Sequence, residues 1–363
     1  MFFRIFNIIF CMLLTVNLFA QNKFSGRVLN DAGLTPIAGA SIYFNNTSIG
    51  TITNDLGEFF IANPISGEVI ISSVGFERLI YKLDAAKLTG KSFSFKLVEK
   101  EATLRNVLIL PDALRRRYLE LFKSHFLGIT EEADMSRITN INAINFAAAN
   151  EKKAFIAYSD TPLTIINRKL GYIIKFDLVE FYFNEQTGQT SFYGYTRYED
   201  MGDKKRWNKN RQQAYYGSTL HFFRSLINNE LKKESFSISR VKTDSIKQTN
   251  DKGLPYFKKF DVAIPVTVLN IVQKDSNTNL HVVSWEDRLM VQYYKNPGSR
   301  QYLSKKTLLG GTLPTGVRSF LTISSKNIQI DSYGILTNPM NILFSGYWVY
   351  EKAANLLPYN YYP

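Results

Sequence analysis

Short apolar runs separated by turn-forming residues fill the chain from Phe24 to Leu97 and limit what this part can fold into. Within each run apolar side chains alternate with small or polar ones, and the alternating residues are Phe24, Gly26, Val28, Ala40, Ile42, Phe44, Phe59, Ile61, Phe93, Phe95 and Leu97. A period of two places one set of side chains on one face of a strand. The pattern therefore predicts antiparallel strands with one buried face.

The run Glu68–Val74, EVIISSV, differs from the others because it is apolar on both faces. A strand covered on both sides belongs in the middle of a sheet rather than at its rim. This run indicates a central strand of a two-sheet sandwich. We predict that residues 21–100 form one all-β domain.

The stretch Gly50–Ile61, GTITNDLGEFFI, carries Asn54, Asp55, Gly57 and Glu58 between two strand-like runs. Asn and Asp bond to their own backbone at the start of a turn, and Gly accepts the positive φ that closes a four-residue hairpin. A calcium loop would need more carboxylates at alternate positions and a bidentate acid near its end. The residues favour a turn over a metal loop, and we expect no metal site.

These segments together carry a family resemblance. Its motifs are Gly26-Arg27-Val28, Pro36-Ile37-Ala38-Gly39-Ala40, Thr53-Asn54-Asp55-x-Gly57-x-Phe59 and Ser73-Val74-Gly75-Phe76. The segment resembles the carboxypeptidase-like regulatory domain, which implies a transthyretin-like β-sandwich of about seven strands. The same module stands at the N-terminus of TonB-dependent receptors of Gram-negative bacteria, often ending in a short strand like Leu104–Leu110. The resemblance implies no peptidase activity, because the regulatory module is not the catalytic one.

After Leu110 the sequence departs from those receptors, in which a plug and a barrel follow. Pro111 suits the first position of a helix and Gly128 its end. Between them one helix face collects Leu114, Tyr118, Leu121, Phe122 and His125. We expect residues 101–110 to form a connecting strand or linker, and residues 111–363 to form an α+β domain with mostly antiparallel sheet.

Two patterns place secondary structure within that second domain. The alternating segment LGYIIKFDLVEFYF predicts a strand that pairs with QTSFYGYTRYED through a hairpin loop at Asn184–Gly188. Further along, Ser218 is expected to cap a helix. Its shared face is predicted to hold Leu220, Phe223, Ile227 and Leu231.

A basic and aromatic segment supplies the candidate ligand-binding residues, which are Lys205, Arg206, Trp207, Arg211 and Tyr215. On a helix the last three share one side, which allows Arg211 to stack on Trp207. With Lys204 and Lys209 nearby, the segment fits an anion or glycan platform. The alternative, a helix packed by its aromatics with a solvated basic outer face, stays open.

Motifs for catalysis are scarce in this sequence. None of the three histidines is followed by Glu three residues later, as the zinc ligand pair of carboxypeptidases requires, and the Gly-x-Ser-x-Gly and His-Glu-x-x-His patterns are absent. The nearest candidates for a carboxylate pair are Glu199-Asp200 and Glu286-Asp287. Each is expected to cap a strand or balance a neighbouring cation. We identify no catalytic residue and expect no cofactor.

The first 20 residues have the layout of a secretory signal peptide. Arg4 precedes an apolar run, and the small residue Ala20 precedes a polar segment. Cys11, the only cysteine, lies inside that run, so the mature chain would have neither disulfides nor thiolate ligands. We expect an exported protein, in the periplasm or associated with the outer membrane. Export makes nucleic acid a poor partner despite the formal charge of +13.

These observations favour an exported, non-enzymatic cell-envelope protein. Its β-sandwich and α+β domain would act as interaction modules for an envelope protein or for an anionic polymer, glycan or lipid headgroup. Peripheral association with the outer membrane fits the same interpretation. The alternative function is a glycan- or peptide-acting hydrolase that uses acidic residues of the second domain.

Overall fold

The structure is a computed structural model that describes residues 23–88, 90–100, 110–276, 278, 280–295, 302–304, 316–325 and 328–363. The predicted signal peptide, and the predicted strand before Leu110, lie outside these residues. The chain divides into two compact units. Unit 1 comprises Met1–Val107, Lys175–Asp177 and Gly194–Tyr198, and unit 2 comprises Leu108–Ile174, Leu178–Tyr193 and Glu199–Pro363.

Unit 1 contains a two-sheet β-sandwich, as the sequence predicts. One sheet has the strand order β4-β1-β7 and the other β3-β2-β5-β6. A 3-10 turn at Ala85–Lys87 precedes the last strand. The strand bounds are β1 Lys23–Asn30, β2 Ser41–Phe44, β3 Gly50–Ile52, β4 Glu58–Ala62, β5 Gly67–Ser72, β6 Leu79–Leu83 and β7 Ser92–Leu97.

The core of unit 1 lies between these two sheets. Phe24 of β1 and Ile42 of β2 are fully buried in the same cluster. The Phe24 ring meets the Phe59 and Phe93 rings edge-on at 5.0 Å each, the geometry that aromatic quadrupoles favour. Strand β5 lies between β2 and β6, and its apolar run is buried on both faces, which confirms the predicted central strand.

One strand pairing differs from the prediction of antiparallel strands. β1 pairs with β7 in parallel, from Ser25 opposite Ser92 to Asn30 opposite Leu97. β1 also pairs with β4, and that pairing is antiparallel. Alternation along a strand reports its buried face but carries no information about the direction of its neighbour, so the sequence pattern could not separate the two cases.

The Asn54–Gly57 segment is a turn, as predicted, but it does not close a hairpin. Asn54 Oδ1 accepts hydrogen bonds from the backbone N–H groups of Leu56 at 3.0 Å and Glu58 at 2.8 Å. Gly57 has a φ of +70°. The strands on either side belong to different sheets, so the turn carries the chain from one sheet of the sandwich to the other.

Beyond residue 110 the chain forms several antiparallel sheets with short helices, which confirms the predicted fold class. The helices are α1 Asp112–Phe126, α2 Glu131–Asp134, α3 Lys205–Tyr215, α4 Thr219–Ile227 and α5 Val268–Ile271. The 3-10 turns are Ile141–Ala143, Pro339–Asn341 and Tyr347–Tyr350.

The strands that the structure describes beyond residue 110 form three sheets. The orders are β8-β11-β12-β10-β9 with β13 paired to β12, β15-β14-β18-β19-β21, and β16-β17-β20. The bounds are β8 Ser136–Ile138, β9 Ile144–Ala148, β10 Ala154–Ser159, β11 Leu163–Asn167, β12 Tyr172–Asn184, β13 Thr190–Asp200, β14 Phe236–Thr249, β15 Pro255–Pro265, β16 Val272–Lys274, β17 His281–Val283, β18 Arg288–Tyr293, β19 Val317–Ile323, β20 Ile328–Ile330 and β21 Ile342–Gly346.

The predicted local signals of this region are mostly confirmed. α1 begins directly after Pro111, which is the N-cap rather than the first helical residue. The Ser218 hydroxyl accepts from the backbone N–H of His221 at 3.2 Å and caps α4. The helix ends at Ile227, so the buried Leu231 lies beyond it, contrary to the prediction. The β12–β13 hairpin forms as predicted, with Asn184 Oδ1 accepting from two backbone N–H groups of its loop.

A large apolar cluster joins α4 to the sheet that contains β18 and β19. Phe222, Leu226, Leu289 and Leu321 are buried within it. Trp348 of the last 3-10 turn packs against the Phe222 ring at 5.3 Å. None of the helices in the described part of the chain is long and apolar enough to span a membrane.

The Asn54–Gly57 turn, which connects the two sheets of unit 1, gives a prediction about stability. Gly39 and Gly57 both have a φ of +70°, but a Cβ on Gly57 would lie 2.6 Å from the Val28 carbonyl oxygen, whereas a Cβ on Gly39 meets nothing within 4 Å. Gly57→Ala should therefore lower the free energy of unfolding by about 2 kcal/mol more than Gly39→Ala, because only Gly57→Ala adds a collision to the backbone strain. Urea unfolding of the two variants measures the difference, and equal losses would contradict the collision.

Candidate functional site

The predicted ligand-binding segment forms helix α3, whose inner face is buried. Trp207, Arg211 and Tyr215 lie at a spacing of four residues and are 3%, 5% and 6% exposed. Trp207 Nε1 donates to the Arg168 carbonyl at 3.0 Å. A Cβ on Gly171 would lie 2.2 Å from the Trp207 ring, so only glycine admits the indole there. These three of the five predicted site residues therefore anchor the helix.

Arg211 is the strongest of these anchors. Its Nε donates to the Leu170 carbonyl at 2.7 Å and its Nη2 to the Gly171 carbonyl at 2.9 Å. Nη1 and Nη2 also hold both oxygens of Asp200, at 3.0 and 2.8 Å. Burial raises the pKa of the Asp200 carboxyl, but the hydrogen bonds from Arg211 and Gly202 outweigh it and hold that pKa below its usual value.

The aromatic partner of Arg211 differs from the prediction. The guanidinium carbon of Arg211 lies 4.0 Å from the centre of the Tyr172 ring, and this is a cation–π contact. The predicted partner, Trp207, carries the exposed cations Lys204 at 4.6 Å and Arg206 at 5.6 Å. The Leu170 and Gly171 carbonyls draw the guanidinium away from its helical neighbour, which helix spacing alone does not reveal.

The turn before β12 presents those carbonyls to Arg211. Asn167 is fully buried, and its Oδ1 accepts from the backbone N–H groups of Lys169 and Leu170 at 3.1 and 2.9 Å. Its Nδ2 donates to the Ala354 carbonyl at 2.8 Å. One amide side chain thus shapes the turn and joins it to a segment near the C-terminal end.

The outer face of α3 is basic and exposed. Lys204, Lys205, Arg206 and Lys209 all point to solvent, and none of them pairs with an acid in the described part of the chain. Of the five predicted ligand-binding residues, Lys205 and Arg206 are therefore the accessible ones. The structure brings all five together on one helix, and their role in binding stays a prediction.

Arg224 is a buried connector that the sequence patterns missed. It is 6% exposed in α4 and donates to three backbone carbonyls, those of Tyr333 at 2.9 Å, Tyr361 at 2.8 Å and Tyr359 at 2.6 Å. The Tyr362 ring lies 4.0 Å from its guanidinium carbon. A cation inside the apolar run TLHFFRSLI was the available signal, because a buried charge needs dedicated partners.

The peptide groups of Gly217 form a second junction between distant segments. Its N–H donates to His221 Nδ1 at 3.1 Å, and its carbonyl accepts from Trp348 Nε1 at 2.9 Å. Because Nδ1 accepts, the proton lies on His221 Nε2, which donates to Glu234 at 3.1 Å. Burial lowers the pKa of His221 despite that carboxylate, so the ring is a neutral structural link.

The two predicted carboxylate pairs meet arginines, as expected of residues that balance a neighbouring cation. Asp200 is held by Arg211. Arg240 Nη1 reaches Glu286 at 2.6 Å, and its Nε lies 3.8 Å from Asp287. Among the described residues no group of three or more His, Cys, Asp and Glu side chains could hold a metal ion.

Glu351 is a titratable group that the sequence patterns did not single out. It follows the Tyr347–Tyr350 turn, and burial raises the pKa of its carboxyl from 4.5 to about 8, with a further increase from the nearby charge of Glu132. Glu132 itself accepts from the Asn355 side chain at 2.9 Å. Glu351 is therefore protonated at neutral pH.

Unit 1 offers an open groove of about 780 Å³ on the outer side of its β4-β1-β7 sheet. The Arg27 guanidinium and the Glu58 carboxylate pair at 2.6 Å along it. A Cβ on Gly26 would lie 2.0 Å from the Phe93 carbonyl oxygen, so β1 and β7 approach closely at this position. Among the described residues, the charged side chains that line the groove are these two, and they neutralise each other.

Comparison with known proteins supports the fold of the first unit. The model of the CarboxypepD_reg-like domain family matches residues 24–109, so the N-terminal part of the chain is a domain of that class. This confirms the resemblance read from the sequence motifs. Among curated proteins, none matches the chain.

One solved structure similar to the chain is BcpA, the major pilin subunit of Bacillus cereus. It has 8% sequence identity and a TM-score of 0.16, with 90% of this chain and 84% of that chain covered. A likeness this weak carries no argument about fold or function.

The Arg211 contacts generate a prediction for α3. Arg211→Lys keeps the charge but cannot supply two parallel hydrogen bonds to Asp200 together with those to Leu170 and Gly171. We expect the free energy of unfolding to fall by about 2–3 kcal/mol, because polar groups are left buried without partners. Urea unfolding followed by Trp207 fluorescence measures it. Arg206→Lys, the same change on the exposed face, should alter stability by less than about 0.5 kcal/mol, and equal effects would contradict the anchor.

The protonated Glu351 generates a pH prediction. The folded-state pKa of about 8 exceeds the ordinary value of 4.5, so between these values the folded chain holds a proton that the unfolded chain releases. The free energy of unfolding should therefore fall as pH rises through this range, by up to about 1.4 kcal/mol per pH unit.

Urea unfolding as a function of pH tests this with Glu351→Gln, which should lose that decline. The exposed Glu120→Gln serves as the control and should keep it. The same pH profile in all three proteins would contradict a proton held on Glu351.

Proposed function

We propose that this is an exported, non-enzymatic cell-envelope protein that binds a partner protein or an anionic polymer. The observation that carries the proposal is the outer face of α3, where Lys204, Lys205, Arg206 and Lys209 are exposed without acidic partners in the described chain. A cluster of cations of this kind attracts anionic groups over several ångströms. Its ligand is a carboxylate-, sulfate- or phosphate-bearing polymer, or an acidic protein surface.

The inner face of α3 supports the same proposal. Arg211 and Trp207 hold the helix by hydrogen bonds to the carbonyls of Arg168, Leu170 and Gly171. A rigidly held platform loses less conformational entropy when it binds than a mobile loop does. The anchored helix therefore presents its cations in a fixed arrangement, as a binding surface requires.

The proposed location rests on the N-terminal sequence. The apolar run that ends at Ala20 supports export, with the protein in the periplasm or at the outer membrane of a Gram-negative bacterium. The CarboxypepD_reg-like domain acts in this proposal as a second interaction module. The groove beside Arg27 and Glu58 is the part of that module open to a partner in this proposal.

One observation favours a second candidate function, a hydrolase acting on glycans or peptides. The Glu351 carboxyl has a pKa of about 8, which suits a general acid near neutral pH, and Glu132 is the second acid beside it. Against this candidate, Asp200, Glu286 and Asp287 are engaged by arginines. We therefore favour binding over catalysis.

The binding proposal predicts the effect of neutralising the outer face of α3. Lys205→Gln, Arg206→Gln and Lys209→Gln combined should weaken binding to polyglutamate or dextran sulfate at low salt by about tenfold, since each exposed ion pair contributes up to about 1 kcal/mol. Fluorescence anisotropy with labelled polymer at low and high salt measures the change, which salt should diminish. A control of equal charge combines Arg116→Gln, Lys152→Gln and Lys232→Gln, which are exposed elsewhere in unit 2.

Affinity purification of the tagged, exported protein from gently solubilised envelopes tests for a protein partner. A partner in near-stoichiometric amount that the α3 variant loses would support the proposal. The proposal fails if the α3 variant and its control bind polymers and partners alike. Turnover of a glycan or peptide by the wild type, lost in Glu351→Gln, would favour the hydrolase instead.

A further inference from the structure

The β14–β15 hairpin of unit 2 extends beyond the rest of its sheet. β14 pairs with β18 only from Phe236 to Val241, while its pairing with β15 continues to Thr249 opposite Pro255. Every residue of β15 is exposed, and so are most residues of β14 after Val241. The outer part of this hairpin, residues 242–265, is therefore an arm in which, among the described residues, β14 beyond Val241 pairs only with β15.

Several large apolar side chains of the arm are exposed to solvent. Leu254 is 59% exposed in the loop, and beside it Tyr256 and Phe257 are 43% and 68% exposed. Further exposed apolar side chains of the arm are Ile246, Phe260, Val262 and Ile264. Large exposed apolar areas on a protein surface mark interaction sites.

The strand register places apolar groups on both faces near the end of the arm. Cross-strand partners share a face, so Tyr256 lies with Gln248 and the Ile246–Lys258 pair, whereas Phe257 lies with Lys247 on the opposite face. Leu254 belongs to the loop that connects β14 to β15. Exposed apolar side chains thus lie on both faces of the arm, with Phe257 on one face and Tyr256, Ile246, Phe260, Val262 and Ile264 on the other.

Lysines surround this apolar end. Lys247, Lys252, Lys258 and Lys259 are exposed, and none of them forms an ion pair in the described part of the chain. By contrast Asp261, nearer the base, is held by Arg288 at 2.7 Å. Asp251 of the loop is the acid among these four lysines, so the net charge at the end of the arm is positive.

The chemistry of the edge strand argues against a second copy of the chain as occupant. Pro255 and Pro265 stand at the two ends of β15, and Lys258 and Lys259 occupy its middle. Proline and lysine on an edge strand prevent pairing with another strand. A folded protein partner would cover one face of the arm and leave either Tyr256 or Phe257 in water.

A bilayer surface fits both observations at once. Its interface surrounds an inserted hairpin on every side, and aromatic side chains are favoured at headgroup depth. Anionic headgroups match lysines set just behind the apolar end, each contributing about 1 kcal/mol. The outer edges of the hairpin carry unpaired backbone groups, which limits insertion to the hydrated interface.

We propose that the end of this arm binds the surface of an anionic lipid bilayer. Leu254, Tyr256 and Phe257 enter the boundary between headgroups and acyl chains, and the lysines around them contact headgroup phosphates. The arm and the basic face of α3 are different surfaces, so this inference goes beyond the proposed function and does not depend on it.

Vesicle binding by the full chain tests the inference. The probes are vesicles of equal parts phosphatidylcholine and phosphatidylglycerol, and vesicles of phosphatidylcholine alone, with sedimentation as the measurement. The wild type should bind the anionic vesicles at least about tenfold more strongly, because several lysines act together. The three tryptophans are at most 8% exposed, so Phe257→Trp adds a reporter whose emission should shift to the blue and be quenched by brominated lipid.

Two sets of variants separate the arm from other surfaces. Tyr256→Ser combined with Phe257→Ser should reduce partitioning by at least about tenfold, as expected for two buried aromatic groups. Lys258→Gln combined with Lys259→Gln should reduce it by about tenfold at low salt and less at high salt. Leu269→Ser, at a site 81% exposed outside the arm, is the matched control and should bind as the wild type does.

Several outcomes would overturn the inference. These are equal binding to both kinds of vesicle, wild-type binding by the arm variants, and loss of vesicle binding in the α3 variant alone. Loss by the arm variants of a protein partner or of a dimer, without any change in vesicle binding, would assign the arm to that partner instead. Since the α3 variant keeps the arm intact, failure here leaves the polymer-binding result unaffected.

Discussion

The burial of one guanidinium organises the part of unit 2 that contains α3. Arg211 is 5% exposed, and a charge at such a site is tolerated only when hydrogen bonds replace the water it has lost. Its partners come from the turn before β12 and from Asp200 at the end of β13. These segments must therefore pack against α3 in one arrangement, because any other would leave the buried Arg211 cation without hydrogen-bond partners. The contacts of Arg211 therefore also fix the positions of the exposed lysines of α3.

Arg224 is a second buried cation whose lost hydration is replaced by hydrogen bonds, in this case to carbonyls near the C-terminal end of the chain. The segment after Tyr350 has no regular strand in the described structure, and its carbonyls still need donors. Arg224 supplies them to Tyr359 and Tyr361, while Asn167 supplies one to Ala354. Side chains that donate to backbone thus take the place of sheet hydrogen bonds where the chain is irregular, which explains why Arg224 and Asn167 are buried.

The sequence predicted features that depend on neighbouring residues. Alternation identified the strands of the sandwich, Asn54 identified its turn, and Ser218 identified the start of α4, because each signal is contained within a few residues. Features that depend on distant residues were missed. The carbonyls that bind Arg211 lie some forty residues before it, at Leu170 and Gly171, and those that bind Arg224 lie more than a hundred residues after it.

The accessible part of the candidate site was predictable in the same sense, and its anchoring was not. The cations of α3 are contiguous in sequence, so Lys205 and Arg206 could be named from composition alone. Whether Trp207 and Arg211 face solvent or the interior depends on tertiary packing, which helix periodicity cannot assign. The raised pKa of Glu351 likewise arises from burial and from Glu132, more than two hundred residues away.

The parallel pairing of β1 with β7 gives the sandwich of unit 1 a mechanical character. The pair runs from Ser25 beside Ser92 to Asn30 beside Leu97, so the start of β1 and the finish of β7 lie at opposite ends of the same ladder. Tension applied between those two points loads every hydrogen bond of the ladder in shear, and the bonds must break together. In an antiparallel pair pulled at adjacent ends they would open one after another. The β1–β7 ladder therefore resists tension along its strands more strongly than an antiparallel pair pulled at adjacent ends.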